Sequence, residues 1–244
     1  TGVRVRRVLL VGLLLLALAL GVGGGYYAGD YLDSPEPTAS GTAGPLGSVS
    51  PSPTPTPTPT EPPLPVKTPI PITVDPLQPG FDYTERSFSV TAKDGQTVRL
   101  SVEIPRDWHL GKRDPKHPDW VKYATEPDQR SVRVQADEPA EGTPDDEMTQ
   151  LIVDLKKSQP LENDLRIVDQ RSDTITGDDG EPRSVATLIY TYIPGKTLWY
   201  VIVRWIAING ANTNVEMSVT GFAEDADALK EIVEKASTSV SEPG

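Results

Sequence analysis

The stretch from Arg183 to Asn209 reads RSVATLIYTYIPGKTLWYVIVRWIAIN, and its pattern decides the fold. Two runs, Val185 to Ile193 and Leu198 to Ile208, are rich in β-branched and aromatic residues and apolar on both faces, as strands in the middle of a covered sheet must be. Along the second run Trp199, Val201, Val203 and Trp205 share one face, and Tyr200, Ile202, Arg204 and Ile206 share the other.

Working outward, the same two-residue period recurs. Leu165 to Thr176 precedes Arg183 across Gly177-Asp178-Asp179-Gly180, and Asn214 to Phe222 follows across Gly210-Ala211-Asn212-Thr213. Upstream, Ser87 to Ala92 faces Val98 to Ile104 across Lys93-Asp94-Gly95-Gln96, where Asp-Gly is a strong hairpin signal, and the second strand stops at Pro105. Trp120 to Thr125 and Ser131 to Ala136 form another pair across Glu126-Pro127-Asp128-Gln129.

Two segments are helical instead. Thr143-Pro144-Asp145-Asp146-Glu147 supplies an N-cap, a first-turn proline and acids against the positive helix end. Met148, Leu151, Ile152 and Leu155 follow at helical spacing, predicting a helix to about Ser158. Asp225 to Val240 carries Leu229, Ile232, Val233, Ala236 and Val240 on one stripe. Many antiparallel strands and two helices predict an α+β domain, an antiparallel sheet covered by helices, spanning residues 77–244.

The rest of the 244-residue chain is of two other kinds. Val8 to Ala28 is uncharged, preceded by Arg4, Arg6 and Arg7 and followed by Asp30 and Asp33. Such a run is long enough to cross about 30 Å of hydrocarbon as a helix, and the flanking charges place the N-terminus inside and the remainder outside. Residues 1–33 are thus expected to be a transmembrane anchor, with a cleavable signal peptide as the alternative because Ala17-Leu18-Ala19 has the small-x-small form.

Residues 34–76 are a Pro-, Thr- and Ser-rich linker, expected to be disordered, with P-S-P-T-P-T-P-T-P from Pro51 to Pro59. Proline fixes its own φ and keeps its predecessor out of the α region, so this tether is extended, with a reach on the order of 100 Å. Alternating Ser or Thr with Pro also suits O-glycosylation. A ligand for SH3 or WW domains is the other reading, but it requires a cytoplasmic reader.

Composition excludes several functions. The formal charge of −12 is unsuited to nucleic acid, and the absence of cysteine rules out disulfides, thiolate zinc sites, thiol nucleophiles and thioether lipid anchors. There is no nucleophile elbow, phosphate-binding glycine loop or H-E-x-x-H pair. His109 reads as a loop histidine. Asp114-Pro115-Lys116-His117-Pro118-Asp119 places one imidazole between carboxylates but next to a lysine, so no metal site is assigned. The acids from Asp137 to Glu147 lack calcium-loop spacing. No catalytic residue, cofactor or metal ligand is expected, and the chain is read as a non-enzyme.

The order of elements, the I-P-R-D-W run at Ile104 to Trp108, the paired strands around Tyr190-Thr191-Tyr192 and Trp199 to Trp205, and the closing Ser237-Thr238-Ser239-Val240 resemble the PsbP/Mog1-like fold. In actinobacteria such domains are similar to the LpqN/LpqT group of cell-envelope proteins. Those are commonly lipoproteins, and this chain departs from them in lacking the lipobox cysteine. The resemblance implies a binding or assembly module for a protein or small ligand, which the apolar run and its flanking charges would anchor in the membrane and place outside the cell. A sensor ectodomain and an envelope hydrolase are the alternatives. The expected ligand-binding residues are Trp199, Trp205, Tyr190 and Tyr192 as an aromatic-lined groove, with Arg204 orienting an anionic or carbonyl-bearing ligand. The competing reading makes the same residues core, with one satisfied arginine.

Overall fold

The computed structural model describes residues 65–137 and 139–243. The expected membrane helix and the Pro-Thr tract fall outside them, and among the described residues no helix is long and apolar enough to cross a membrane. Among the described residues, nine strands and two helices follow in the order β1 Tyr83–Thr91, β2 Thr97–Pro105, β3 His109–Leu110, β4 Trp120–Ala124, β5 Ser131–Ala136, α1 Pro144–Ser158, β6 Arg166–Thr176, β7 Pro182–Tyr192, β8 Trp199–Ala207, β9 Val215–Phe222 and α2 Ala226–Ser239. Short 3₁₀ turns, Leu161–Asn163 and Ala223–Asp225, follow α1 and precede α2.

The mixed α+β class, the antiparallel pairing and the two helices agree with the sequence pattern. The two-residue β3, where a plain turn was expected, pairs His109 with Ala124. Seven strands form an antiparallel sheet in the order β3-β4-β5-β9-β8-β7-β6, and β1 and β2 form a separate hairpin.

That hairpin and α2 cover one face of the sheet, where Leu100, Val102 and Ile104 meet Ile202, Ile206, Leu229 and Ile232. Each such fully buried aliphatic side chain contributes about 1.5–3 kcal/mol. On the other face α1 packs mainly over β7 and β8, setting Met148, Leu151 and Leu155 against Leu188, Val201, Val203 and Trp205. The capping predicted for α1 is present: Thr143 Oγ1 accepts from Asp146 N at 3.3 Å, and the Asp146 carboxylate accepts from Thr143 N at 3.3 Å.

The boundary expected at Leu77 falls inside chain that the structure places on the domain. Lys67 N donates to Glu162 O at 2.9 Å, Ile70 N to Lys196 O at 2.8 Å, and Leu77 N to Asp225 Oδ1 at 2.7 Å. Between its prolines this strap keeps free N–H groups, and the domain supplies acceptors for them.

Candidate functional site

Strand alternation and register together create one continuous surface on the α1 side of the sheet. Trp205 pairs with Glu216, Val203 with Ser218, Val201 with Thr220 and Trp199 with Phe222, while Gln135 and Arg133 of β5 face Glu216 and Ser218. Tyr190 and Tyr192 of β7 join the same face, opposite Val201 and Trp199. Because α1 sits over β7 and β8, the remainder of this face, over β9, β5 and β4, carries the polar side chains.

At one end Glu216 is the centre. Arg133 donates from Nη2 to Glu216 Oε1, and Trp205 Nε1 donates to Oε2 at 3.2 Å. The Arg133 guanidinium lies 6.0 Å from the Trp120 ring centre, and His117 stacks on Trp120 at 6.1 Å. Gln135 Nε2 donates to Asp119 Oδ2 at 3.0 Å, and Lys93 is ion-paired to Asp137.

Burial raises the Glu216 carboxyl above its usual range; Arg133 opposes this and Asp137 adds to it. For Lys93 burial acts to lower the value, but Asp137, Glu216 and Glu147 outweigh it and the net shift is upward. Burial likewise raises both Tyr190 and Tyr192, the latter up to about 12.

Several buried atoms here have no hydrogen-bond partner: Arg133 Nε, Trp120 Nε1, Gln135 Oε1 and Ser218 Oγ, with Asp154 Oδ2 and Ser158 Oγ on α1. The opposite flank of α1 holds Asp145, bonded to Ser172 of β6. At 3.6 residues per turn, Glu147, Asp154 and Ser158 therefore line the flank turned away from β6, toward β9 and β5. Glu147 is within electrostatic range of Lys93, consistent with that orientation. Unsatisfied donors and acceptors thus lie on this helix flank and on the neighbouring strands, each costing about 1–3 kcal/mol while unpaired.

The other end is apolar. Trp199 stacks on Phe222 with ring centres 5.4 Å apart, and the Arg130 guanidinium lies 4.8 Å over Phe222. A cleft of about 330 Å³ separates these rings from strap residues 70–74.

Of the residues expected from sequence, Trp199, Trp205, Tyr190 and Tyr192 share this face. Arg204 lies on the opposite face, donating from Nε to Thr187 Oγ1 at 3.0 Å and from Nη1 to Glu234 Oε2 at 2.7 Å. The sheet separates it from the aromatic row, and its charge is met by the terminal helix. Arg133, Glu216, Trp120 and Gln135 were not singled out from sequence. Arg133 and Gln135 read as the wet half of an alternating strand, and their place beside Glu216 depends on the β5–β9 pairing, which joins residues some eighty positions apart.

The histidines do not converge: His109 Nε2 is 3.4 Å from Glu126 Oε2 at the surface, and His117 stacks on Trp120. The residues from Asp114 form a turn, Asp114 Oδ1 accepting from Lys116 N at 2.9 Å. Among the described residues no group of three or more His, Asp or Glu side chains is placed to hold a metal ion.

No family model matches the chain, and no curated protein matches it. Solved structures do align. They include the Ran-binding protein Mog1p of Saccharomyces cerevisiae, 12% identical over 67% of this chain and 96% of that one, with a TM-score of 0.43. Cyanobacterial PsbP from Synechocystis is 14% identical over 65% and 92%, at 0.41. LpqN of Mycobacterium tuberculosis, described as involved in cell envelope biogenesis, is 14% identical over 66% and 92%, at 0.41. These structural neighbours are the groups that the sequence resemblance named, and at such identities the likeness concerns the path of the chain alone.

Proposed function

We propose that this chain is a membrane-anchored, extracytoplasmic and non-catalytic binding module of the cell envelope, and that the α1-side face receives a protein or small ligand. The observation that carries the binding reading is the set of buried, unpartnered polar atoms around Arg133 and Glu216, on the strands that lie beside α1 rather than beneath it. A ligand bringing hydrogen-bonding groups of both kinds would satisfy atoms that now stand unpaired, and the half-buried Trp120 ring would supply apolar area. Anchoring and topology rest on the uncharged run Val8 to Ala28 and its flanking charges.

The test uses the full chain in detergent against envelope extracts, comparing the wild type with Trp120→Ala, Arg133→Met and, on the opposite face, Arg99→Ala. Retention of a defined component that the first two substitutions abolish and the third leaves intact supports the reading. Retention indifferent to all three, or none at all, overturns it. Protease treatment of intact cells tests the topology separately, since an outward domain is released by cutting the tether.

A further inference from the structure

The apolar end of the face points to an occupant of different chemistry. The cleft is bounded by Trp199 and Phe222 on the domain side and by Ile70 to Val74 of the strap, with Gln129, Lys196 and Thr197 at its rim. Its position excludes strand addition: Trp199 belongs to β8, which is paired on both edges by β7 and β9. A peptide held here therefore gains no backbone ladder from the sheet.

The lining contains no carboxylate; its rim offers amide, ammonium and hydroxyl donors, and its floor is a stacked pair of aromatic rings. A peptide that presents many carbonyls and few N–H groups meets those conditions. A proline-rich segment is such a peptide, and it loses little entropy on binding because it is already extended. The strap supplies a proline-containing precedent, since its own Ile70-Pro71-Ile72 lines the cleft, Ile72 packing into the same apolar cluster as Trp199 and Phe222. Ile70 and Val74 remain 54% and 39% exposed, leaving apolar surface at the mouth for more chain to cover.

The described residues begin at Pro65, five positions before the cleft-lining Ile70, and the 64 residues ahead of them in sequence include the P-S-P-T-P-T-P-T-P tract, Pro51 to Pro59. Only seven residues separate Pro59 from Lys67, whose N–H is held by Glu162 O at 2.9 Å, and three of them directly precede prolines that disfavour the α region before them, so the sequence favours reaching a neighbouring molecule over folding back into the same cleft. We infer that the Trp199–Phe222 cleft is a docking site for the proline–threonine tract Pro51–Pro59 of a second copy of this chain, linking neighbouring molecules tether to head.

A synthetic peptide of residues 49–62 titrated into the full chain lacking 51–59, followed by tryptophan emission, tests the docking. A saturable change with half-saturation below about 1 mM is expected, weakened about tenfold or more by Lys196→Glu and by Trp199→Leu. A peptide with alanine at every proline should give no change. Donor- and acceptor-labelled full chains, mixed in detergent, should show energy transfer that deletion of 51–59 removes. An unsaturated titration, an equal response to the alanine peptide, or energy transfer that survives the deletion overturns the inference. Should Trp199→Leu fail to fold, the exposed rim substitution Lys196→Glu decides alone.

Discussion

Arg130 and Asp225 meet in the interior as a two-bond ion pair, Nε to Oδ2 at 2.8 Å and Nη2 to Oδ1 at 3.1 Å, with Asp225 wholly shielded from solvent. The same carboxylate accepts from Leu77 N at 2.7 Å and from Phe222 N at 3.0 Å, while Arg130 also donates to Asp75 O at 2.7 Å. One pair thus ties the strap, the end of β9 and the start of α2 together, beside the aromatic cleft.

Asp225→Ala should therefore destabilise the domain by about 3–5 kcal/mol, because it leaves a buried guanidinium without its counter-charge. Chemical denaturation measures the loss. Limited proteolysis should show new cutting between Asp75 and Gly80 before any elsewhere in the domain, and a loss spread evenly over the chain would contradict the role given to the pair.

Glu216 makes stability depend on pH in an unusual direction. Its carboxyl is raised by burial above the ordinary 4.5, so just above that pH the folded chain holds a proton that the unfolded chain releases. Its contribution to stability accordingly falls as pH rises from 4.5 toward the raised value. Denaturation across this window, wild type against Glu216→Gln, should give a difference in unfolding free energy that declines with pH; a flat or rising difference refutes the assignment.

At alkaline pH the same reasoning applies to Tyr192, whose phenol is pushed up from 10.0 to about 12 by burial. Between those values the folded chain keeps a proton that the unfolded chain loses, so stability drops as pH climbs. Tyr192→Phe should remove that part of the drop. Absorbance titration of the wild type should show a phenol that ionises above pH 11 in the native state, and one fewer in the variant.

Arg183 closes the other end of the domain. Its Nη1 donates to Val240 O at 2.6 Å and reaches Ser237 O and Thr238 O at 3.3 Å each, capping α2 from β7. Arg183→Ala should cost about 1.5–3 kcal/mol, the worth of a buried hydrogen bond to a charged group, by leaving those carbonyls without their donor, and Arg183→Lys should recover only part of it, since an ammonium cannot reproduce the planar fork. Thermal denaturation of the two variants checks the order.

Local patterns and tertiary contacts divide the description of this protein between them. The strand periods, the Asp94-Gly95 hairpin and the Thr143 cap with Pro144 behind it are determined within a few residues, by sterics and by hydrogen bonds to near neighbours, and each was legible from sequence. The alternation along β8 likewise assigned Trp199 and Trp205 to one face and Arg204 to the other. What faces each side of that strand was not legible. Whether Arg204 meets a ligand or Glu234 depends on where α2 docks, and whether Arg133 is a wet-face residue or the partner of Glu216 depends on β5 pairing with β9 rather than stopping at its hairpin with β4. Those pairings join residues far apart in the chain, and packing of the two apolar faces selects them. The extended character of the strap was readable from its prolines; its attachment to Lys196, Arg130 and Asp225 was not, because an isolated N–H or carbonyl carries no record in sequence of which distant group will satisfy it.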